Sequence, residues 1–250
     1  MKKNLLLVLF LSFLVACSST VDEKGYIKDP WEGFNRGVYA FNDTVDTYAL
    51  KPIAKGYEFV FPKVVRKGIT NFFGNIGDVN SLFNAILQLE GKQAAVITAR
   101  IIDNTVFGLG GFIDVATPMG NPKIKKDFGS TLAHYGVKSG PFVVLPFLGP
   151  STVRDAAGKV PDAFMSPMTY VDDKTYKWVL VGTDVINTRA NLLPLERQME
   201  GTTTDKYATV RDAWLQNRWG ELGTPISELA QEDIEDIFTP SEAENATPQQ

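Results

Sequence analysis

Apolar residues recur in the first part of the chain at the spacing of an α-helix. The recurring residues are Phe34, Val38, Phe41, Val45 and Tyr48, at intervals of four, three, four and three. This spacing puts all of them on one helix face, so the segment is predicted to be an amphipathic helix. Asp29 and Pro30 favour its start, and Pro52 is expected to end it because an interior proline removes a backbone hydrogen bond.

The same pattern predicts further helices along the chain. Pro62 opens a second helix that Gly74 and Gly77 weaken, and Asp78 begins a third that Gly91 ends. The remaining predicted helices cover about residues 92–107, 128–135, 151–159, 173–193, 205–219 and 226–237. Their expected caps are Asp127, Ser151, Asp172 or Asp173, and Asp205. Strand-like alternation is scarce, so the fold class is mainly α, a single compact domain of amphipathic helices.

Two segments between these helices are predicted to be irregular. Residues 108–111 contain three glycines, which favours a helix break or a close packing contact. Residues 141–150 carry no charge and have prolines at 141, 146 and 150, so a regular helix is excluded there. This apolar stretch is also far too short to span a bilayer as a helix.

The N-terminus has the parts of a bacterial secretory signal. Lys2 and Lys3 precede an apolar run from residue 4 to 15, which is shorter than the ~20 residues of a membrane span. The sequence Leu14-Val15-Ala16-Cys17 resembles a lipobox, which implies cleavage before Cys17 and acylation of that residue. The alternative is an ordinary signal beside a stray cysteine, but Cys17 is the only cysteine and lies where the lipobox requires it. Ser18, in place of Asp, favours sorting to the outer membrane.

These features divide the chain into four parts. They are a signal peptide (1–16), a lipidated tether (17–28), a helical domain (29–225) and an acidic helix with a disordered tail (226–250). With one cysteine in the chain, no intramolecular disulfide can form. The formal net charge is −4, and no Lys or Arg follows Arg218. Because no dense basic patch appears, nucleic acid is not expected as a partner.

The motifs of catalysis are poorly represented. His134 is the only histidine, so a multi-histidine metal site is excluded, and no cofactor is expected. Ser130, His134 and Asp127 could be imagined as a nucleophile, base and orienting acid. Closeness in sequence does not provide triad geometry, however, and a packed or hydrogen-bonded His134 is the better interpretation.

Several motifs together resemble the MlaA (VacJ) lipoproteins. The first is Asp29-Pro-Trp-Glu-Gly-Phe-Asn-Arg36, followed by Tyr39 and Phe41-Asn42. The others are Asn71-Phe72, Gly74-Asn75, Arg100, Asn104-Thr105, the run 108–116, the run 128–137, Gly140-Pro141, Leu145-Pro146, the run 151–155 and Thr188-Arg189-Ala190. These landmarks keep the order of the family from about residue 29 to 219.

The resemblance implies both a fold and a function. It implies an outer-membrane lipoprotein, lipid-anchored at the periplasmic face, whose helices form a ring around an amphipathic channel. Phospholipids that have strayed into the outer leaflet would pass through this channel to a soluble periplasmic lipid carrier. It also implies association with a trimeric porin and no enzymatic activity. The alternative function is a scaffold lipoprotein that organises an envelope complex without moving lipid.

A set of residues is predicted to line the channel or gate it. The channel candidates are the polar residues Asn35, Arg36, Asn42, Asn104 and Asp114, which lie among apolar ones and could receive a lipid head, together with the apolar Phe41. The alternative is that the polar members cap helices or bind backbone inside the fold. Gly136 and Gly140 could let the adjoining loop move as a gate. Some relatives carry further glycine where this chain has Lys138-Ser139, so the hinge is expected to be less flexible here, and Lys138 is a candidate phosphate contact.

Overall fold

The computed structural model describes residues 29–199, 201 and 205–223. Within them the chain is mainly helical, with one short hairpin and the connecting loops, of which the longest covers residues 107–127, so the mainly α prediction is confirmed. Cys17, the tether and the predicted acidic helix and tail of residues 226–250 lie outside the described residues.

The first helical region runs from α1 (Glu32–Val45) through a π-helical turn (Asp46–Leu50) into α2 (Lys51–Val60). The prediction that Pro52 ends the helix is therefore wrong. The wider π turn ends two residues before Pro52 and accommodates a residue that cannot donate a backbone hydrogen bond. Asp29 does not cap α1 either, because its carboxylate accepts a hydrogen bond from Asn35 at 2.9 Å.

The predicted second and third helices are one helix, α3 (Lys63–Leu87). The predictions that Gly74 and Gly77 weaken a helix end and that Asp78 begins a new helix are wrong. Asp78 is fully buried inside α3, 2.8 Å from Lys123 Nζ and 3.3 Å from Arg100 Nε. These tertiary contacts offset the low helix propensity of the glycines, each of which costs about 1 kcal/mol.

The helix α4 (Gly91–Val106) follows a turn in which Leu89 has φ +59°. The break predicted at residues 108–111 is confirmed, and Gly108 is also a close packing point. A Cβ atom at Gly108 would lie 2.1 Å from the Ile113 carbonyl oxygen. The cap of α5 (Phe128–His134) is confirmed too, because the Asp127 carboxylate accepts the Ser130 N–H at 2.7 Å.

The uncharged segment after α5 forms an antiparallel hairpin that the sequence pattern did not predict. Strand β1 (Phe142–Leu145) pairs with β2 (Gly149–Thr152), with Phe142 opposite Thr152 and Leu145 opposite Gly149. The absence of a helix through this segment is confirmed. Phe147 and Gly149 have φ values of +61° and +76° at the turn.

Three longer helices and a short one complete the described chain. They are α6 (Val153–Met165), a 3₁₀ turn (Pro167–Tyr170), α7 (Lys174–Met199) and α8 (Lys206–Leu222). Thr152, rather than the predicted Ser151, caps α6, and the helix continues past Lys159 through Pro161. Asp173 and Asp205 accept main-chain hydrogen bonds at the starts of α7 and α8, as predicted.

The elements contact one another in a closed circuit. The hairpin packs on α1 and α6, α6 packs on α3, α3 packs on α7, and α7 returns to α2, which the π turn joins to α1. Two small apolar clusters join neighbouring elements, the first between the hairpin and α8 and the second between α2 and α7. One is formed by Phe142, Val144, Tyr207, Leu215 and Trp219, and the other by Ala54, Ala190 and Leu193.

Candidate functional site

Two of the predicted channel residues, Asn35 and Asn42, bind the main chain of the hairpin. Fully buried Asn35 donates from Nδ2 to the Phe142 carbonyl oxygen at 3.1 Å and accepts the Val144 N–H at 2.9 Å. Asn42 lies two helical turns later on α1, donates to the Leu145 carbonyl oxygen at 3.0 Å and accepts the Phe147 N–H at 2.9 Å. These side chains therefore fix the hairpin against α1.

Arg36 and Phe41, the neighbours of these asparagines, lie at the surface. Arg36 bonds Asp205 at 2.6 Å and Glu32 at 2.7 Å, and its Cζ lies 4.6 Å from the centre of the Tyr207 ring. The hydrogen bonds from Arg36 lower the pKa of Asp205 to about 2. Phe41 contacts Phe147 edge to face at 5.2 Å, so it supports the hairpin turn from outside.

Asn104 and Asp114 shape the loop that follows α4. Buried Asn104 accepts the N–H groups of Val115 and Ala116 at 2.9 and 3.0 Å. Asp114 accepts a hydrogen bond from the Thr117 hydroxyl at 2.6 Å and lies 3.5 Å from Arg100. Partial burial opposes its charged form, but the Thr117 hydrogen bonds and the Arg100 charge outweigh this and lower the pKa of Asp114.

The two predicted gate residues flank the loop between α5 and β1. Gly136 ends α5 with φ +82°, and its N–H bonds the Ala133 carbonyl oxygen at 2.8 Å. Gly140, which Pro141 separates from β1, has φ +66°. Both positions need the left-handed conformation that glycine adopts most easily. Arg154 ties the middle of the loop to α6 by donating to the Val137 carbonyl oxygen at 3.2 Å.

Ser130, His134 and Asp127 are engaged in separate local contacts. The Ser130 hydroxyl donates to the Asp127 carbonyl oxygen at 2.6 Å as part of the α5 capping box. The Asp127 carboxylate accepts hydrogen bonds from Arg218 at 2.7 and 2.9 Å, while His134 lies 3.9 Å from Glu90. Burial opposes the charge of Asp127, but the Arg218 hydrogen bonds prevail and lower its pKa. Asp127 and Ser130 thus cap α5, and among the described residues no hydrogen bond joins either of them to His134.

A cavity of about 310 Å³ lies between α1, the π turn, α7 and α8. We call it the Arg189 cavity. Its lining includes Tyr39, Asp43, Asp46, Lys51, Arg189, Leu192, Leu195, Glu196, Lys206, Thr209 and Val210. Both signs of charge and several apolar side chains therefore face one space.

Ion pairs join four of the charged residues that line this cavity. Arg189 donates to the two Asp46 oxygens at 2.6 and 2.8 Å and to Glu196 at 2.6 Å, and Lys51 donates to Glu196 at 2.7 Å. Burial opposes the Glu196 charge, but these hydrogen bonds prevail and lower its pKa. The sequence predictions did not select any charged residue of this cavity. The signal that could have found it is the position of Arg189 in the family-like Thr188-Arg189-Ala190 block.

Large apolar side chains are exposed on the outside of the described structure. Phe59 is 91% exposed and Leu89 86% exposed. The exposed groups cluster at the α2–α3 corner, at the end of α3 and after α4, and include Phe59, Val60, Val64, Ile86, Leu89, Phe107, Leu109 and Ile113. Buried positions, in contrast, include many polar and charged residues, such as Asn35, Asp78, Asn84, Arg100 and Asn187. Among residues 29–199, 201 and 205–223, no helix is long and apolar enough to cross a membrane.

Comparison with known proteins gives consistent matches along the chain. A sequence model of the family described as MlaA lipoprotein matches residues 27–221. The intermembrane phospholipid transport system lipoprotein MlaA of Escherichia coli is 38% identical over 246 residues, which cover 92% of this chain and 96% of that protein. The protein of the same name from Shigella flexneri matches with the same identity and coverage.

A solved structure also matches. It is described as the structural basis for maintenance of bacterial outer membrane lipid asymmetry, and it superposes with a TM-score of 0.64 at 37% identity. The match covers 78% of this chain and 99% of the solved chain. Sequence and fold therefore agree on the same relatives.

Proposed function

The chain belongs to the MlaA lipoprotein family, and on that premise we propose that it removes mislocalised phospholipids from the outer leaflet of the outer membrane. The lipids pass through an amphipathic channel to a soluble periplasmic carrier, which maintains the lipid asymmetry of the membrane. The chain makes and breaks no covalent bond in this process. It is anchored through Cys17 at the periplasmic face and associates with a trimeric porin.

The observation that carries this proposal is the distribution of polarity. Phe59, Val64 and Leu89 are strongly exposed, whereas Asp78, Asn84 and Arg100 are buried. In water, a cluster of large exposed apolar side chains usually marks an interaction surface. In contact with acyl chains they are in a favourable environment, and an amphipathic helix can lie along the boundary between headgroups and acyl chains. The polarity of the described structure thus suits a protein seated in one leaflet.

The closed circuit of contacts supports a passage through the protein. The hairpin, α6, α3, α7, α2 and α1 follow one another around this circuit. A phospholipid has a charged head and two apolar tails, so a passage must offer both polar and apolar groups. Asn35, Asn42 and Asn104 hold the loops and the hairpin of this framework in place through main-chain hydrogen bonds.

The proposal is tested in a strain that lacks the gene for this chain. The measurement is the amount of phospholipid accessible to a phospholipase added outside intact cells. We expect the accessible amount to rise in the deletion strain and to return to the original level when the gene is restored. A deletion strain with unchanged accessible phospholipid and normal detergent resistance would contradict transport and favour the scaffold function.

A further inference from the structure

The Arg189 cavity offers both charges that a zwitterionic lipid head needs. Asp43, Asp46 and Glu196 supply three carboxylates, and Lys51, Arg189 and Lys206 supply three cations. The formal charges of these described lining residues balance, so this part of the lining is bipolar instead of strongly acidic or basic. Building on the proposed transport function, we propose that this cavity binds the phosphoethanolamine head of a phospholipid in preference to an anionic head without an amine.

The phosphate contact is assigned to Arg189. Asp46 and Glu196 hold its Nε and Nη2 atoms at 2.6 to 2.8 Å and so fix the plane of the guanidinium. Within the described part of the chain, no protein atom accepts a hydrogen bond from Arg189 Nη1. Its two N–H donors are therefore left for a ligand. An arginine held in this way binds phosphate with less loss of conformational freedom than a mobile side chain. Lys206, exposed at the start of α8, adds a second cation.

The amine contact is assigned to Asp43, with Asp46 beside it. Asp43 is exposed on the last turn of α1 and is not paired with a cation in the described structure. A primary ammonium has three N–H donors, which suit carboxylate acceptors. Quaternary ammonium groups are instead recognised by cages of aromatic rings, and Tyr39 is the single aromatic side chain among the described residues of this lining. The chemistry therefore favours ethanolamine over choline.

The apolar residues of the lining indicate where the glycerol and the acyl chains of the bound lipid lie. Leu192, Leu195 and Val210 line the cavity beside the charged groups and are partly exposed. They offer a surface for the glycerol and the first methylenes of the acyl chains. The volume of about 310 Å³ lies at the lower end of typical ligand pockets, which start at about 300 Å³. A space of this size accommodates a headgroup.

The test uses the full lipidated chain purified in detergent and incubated with mixed micelles of equal phosphatidylethanolamine and phosphatidylglycerol. The lipid that stays bound is extracted and quantified by mass spectrometry. We expect the native chain to be enriched in phosphatidylethanolamine and Asp43→Lys to lower the ratio of the two lipids about fivefold. The matched control is Asp172→Lys, which makes the same charge change at an exposed position before α7 and is expected to keep the native ratio.

Equal lipid ratios in native, Asp43→Lys and Asp172→Lys proteins would overturn the assignment while leaving phospholipid transport intact. A native chain that binds both lipids equally would also overturn it. If Asp43→Lys does not fold by circular dichroism, Lys206→Glu gives the second test, because it weakens the phosphate contact. It is expected to lower the total bound lipid about fivefold, and an unchanged amount would count against the site. The outer-leaflet assay of the deletion strain reports separately on the transport function.

Discussion

Asn42 on α1 holds Phe147 at the hairpin turn: its side-chain oxygen accepts the Phe147 N–H at 2.9 Å. Seven residues earlier on the same helix, Asn35 makes the corresponding contacts to Phe142 and Val144 at 3.1 and 2.9 Å. The hairpin is thus attached to α1 at two levels. The inner attachment is fully buried, and the outer one is partly exposed to solvent.

This difference in burial predicts different effects of removing each side chain. Asn35→Ala should lower the free energy of unfolding by about 3 kcal/mol, because it leaves a buried carbonyl oxygen and a buried N–H without partners. Asn42→Ala should cost about 1 kcal/mol, because water can replace part of its contacts. Denaturant unfolding of both variants in detergent measures the two values. Equal losses would contradict the two-level attachment.

Gly158 on α6 packs directly against the backbone of α5. A Cβ atom at Gly158 would lie 2.6 Å from the Gly129 backbone nitrogen, whereas one at Gly77 on α3 would meet nothing within 4 Å. Gly158→Ala should therefore lower the free energy of unfolding by about 3 kcal/mol through overpacking. The matched control Gly77→Ala should raise it by about 0.5 to 1 kcal/mol, since it only removes freedom from the unfolded chain. Similar effects of the two substitutions in denaturant unfolding would be inconsistent with this contact.

The ion pairs of Arg218 predict a specific pH dependence. The folded-state pKa of Asp127 lies below its usual value, because the Arg218 hydrogen bonds outweigh the effect of burial. Its contribution to stability is therefore complete above the usual aspartate pKa near ~4 and is lost as the pH falls through the lowered folded-state pKa. In Arg218→Met the same carboxylate is buried without its cation, which raises its pKa, so its effect on stability becomes more unfavourable as the pH rises.

The difference in unfolding free energy between native and Arg218→Met proteins should thus be smaller at about pH 3 than at about pH 7. Denaturant unfolding at the two pH values measures it. Arg197→Met is the control, because the Arg197 side chain is 62% exposed and pairs with Glu58 at the surface. It should show little dependence on pH. A constant difference for Arg218→Met would rule out the predicted linkage.

The loop between α5 and β1 gives a test of gating. Gly136 has φ +82°, and a Cβ atom there would meet nothing within 4 Å, so a substitution is penalised by backbone strain and not by contact. Gly136→Ala should lower stability by about 1 kcal/mol, and Gly136→Asn by less, because asparagine tolerates this conformation. If the loop must bend at Gly136 during transport, cells that carry Gly136→Ala should also lose their surface-accessible phospholipid more slowly than cells with the native chain. Native clearance by Gly136→Ala would show that this bend is not needed for the gate.

Local patterns predicted most of the helices but not the contacts that change their boundaries. The spacing of Phe34, Val38 and Phe41 was enough for α1, and Asp127 and Asp205 were identifiable as caps. The helix α3 was divided in two because Gly74, Gly77 and Asp78 are ordinary end signals. Only the tertiary pairing of Asp78 with Arg100 and Lys123 makes the position compatible with a helix interior.

The site was less predictable for the same reason. Asn35 and Asn42 could be selected as polar residues on an apolar face, but their partners lie more than 100 residues away in the hairpin. Arg189 is part of a family-like block, yet its pairing with Asp46 joins residues 143 positions apart. The strands were missed because each is four residues long and one of them contains glycine and proline.

The most direct test of the central claim follows phospholipid clearance in time. Cells that lack the gene and have accumulated outer-leaflet phospholipid are induced to express either the native chain or Cys17→Ser, and surface-accessible phospholipid is measured as the protein appears. We predict that accessible phospholipid falls with the native chain and stays high with the unlipidated variant, which should be mislocalised. An outer-leaflet level that does not change when the native chain accumulates in the outer membrane would contradict the proposed function.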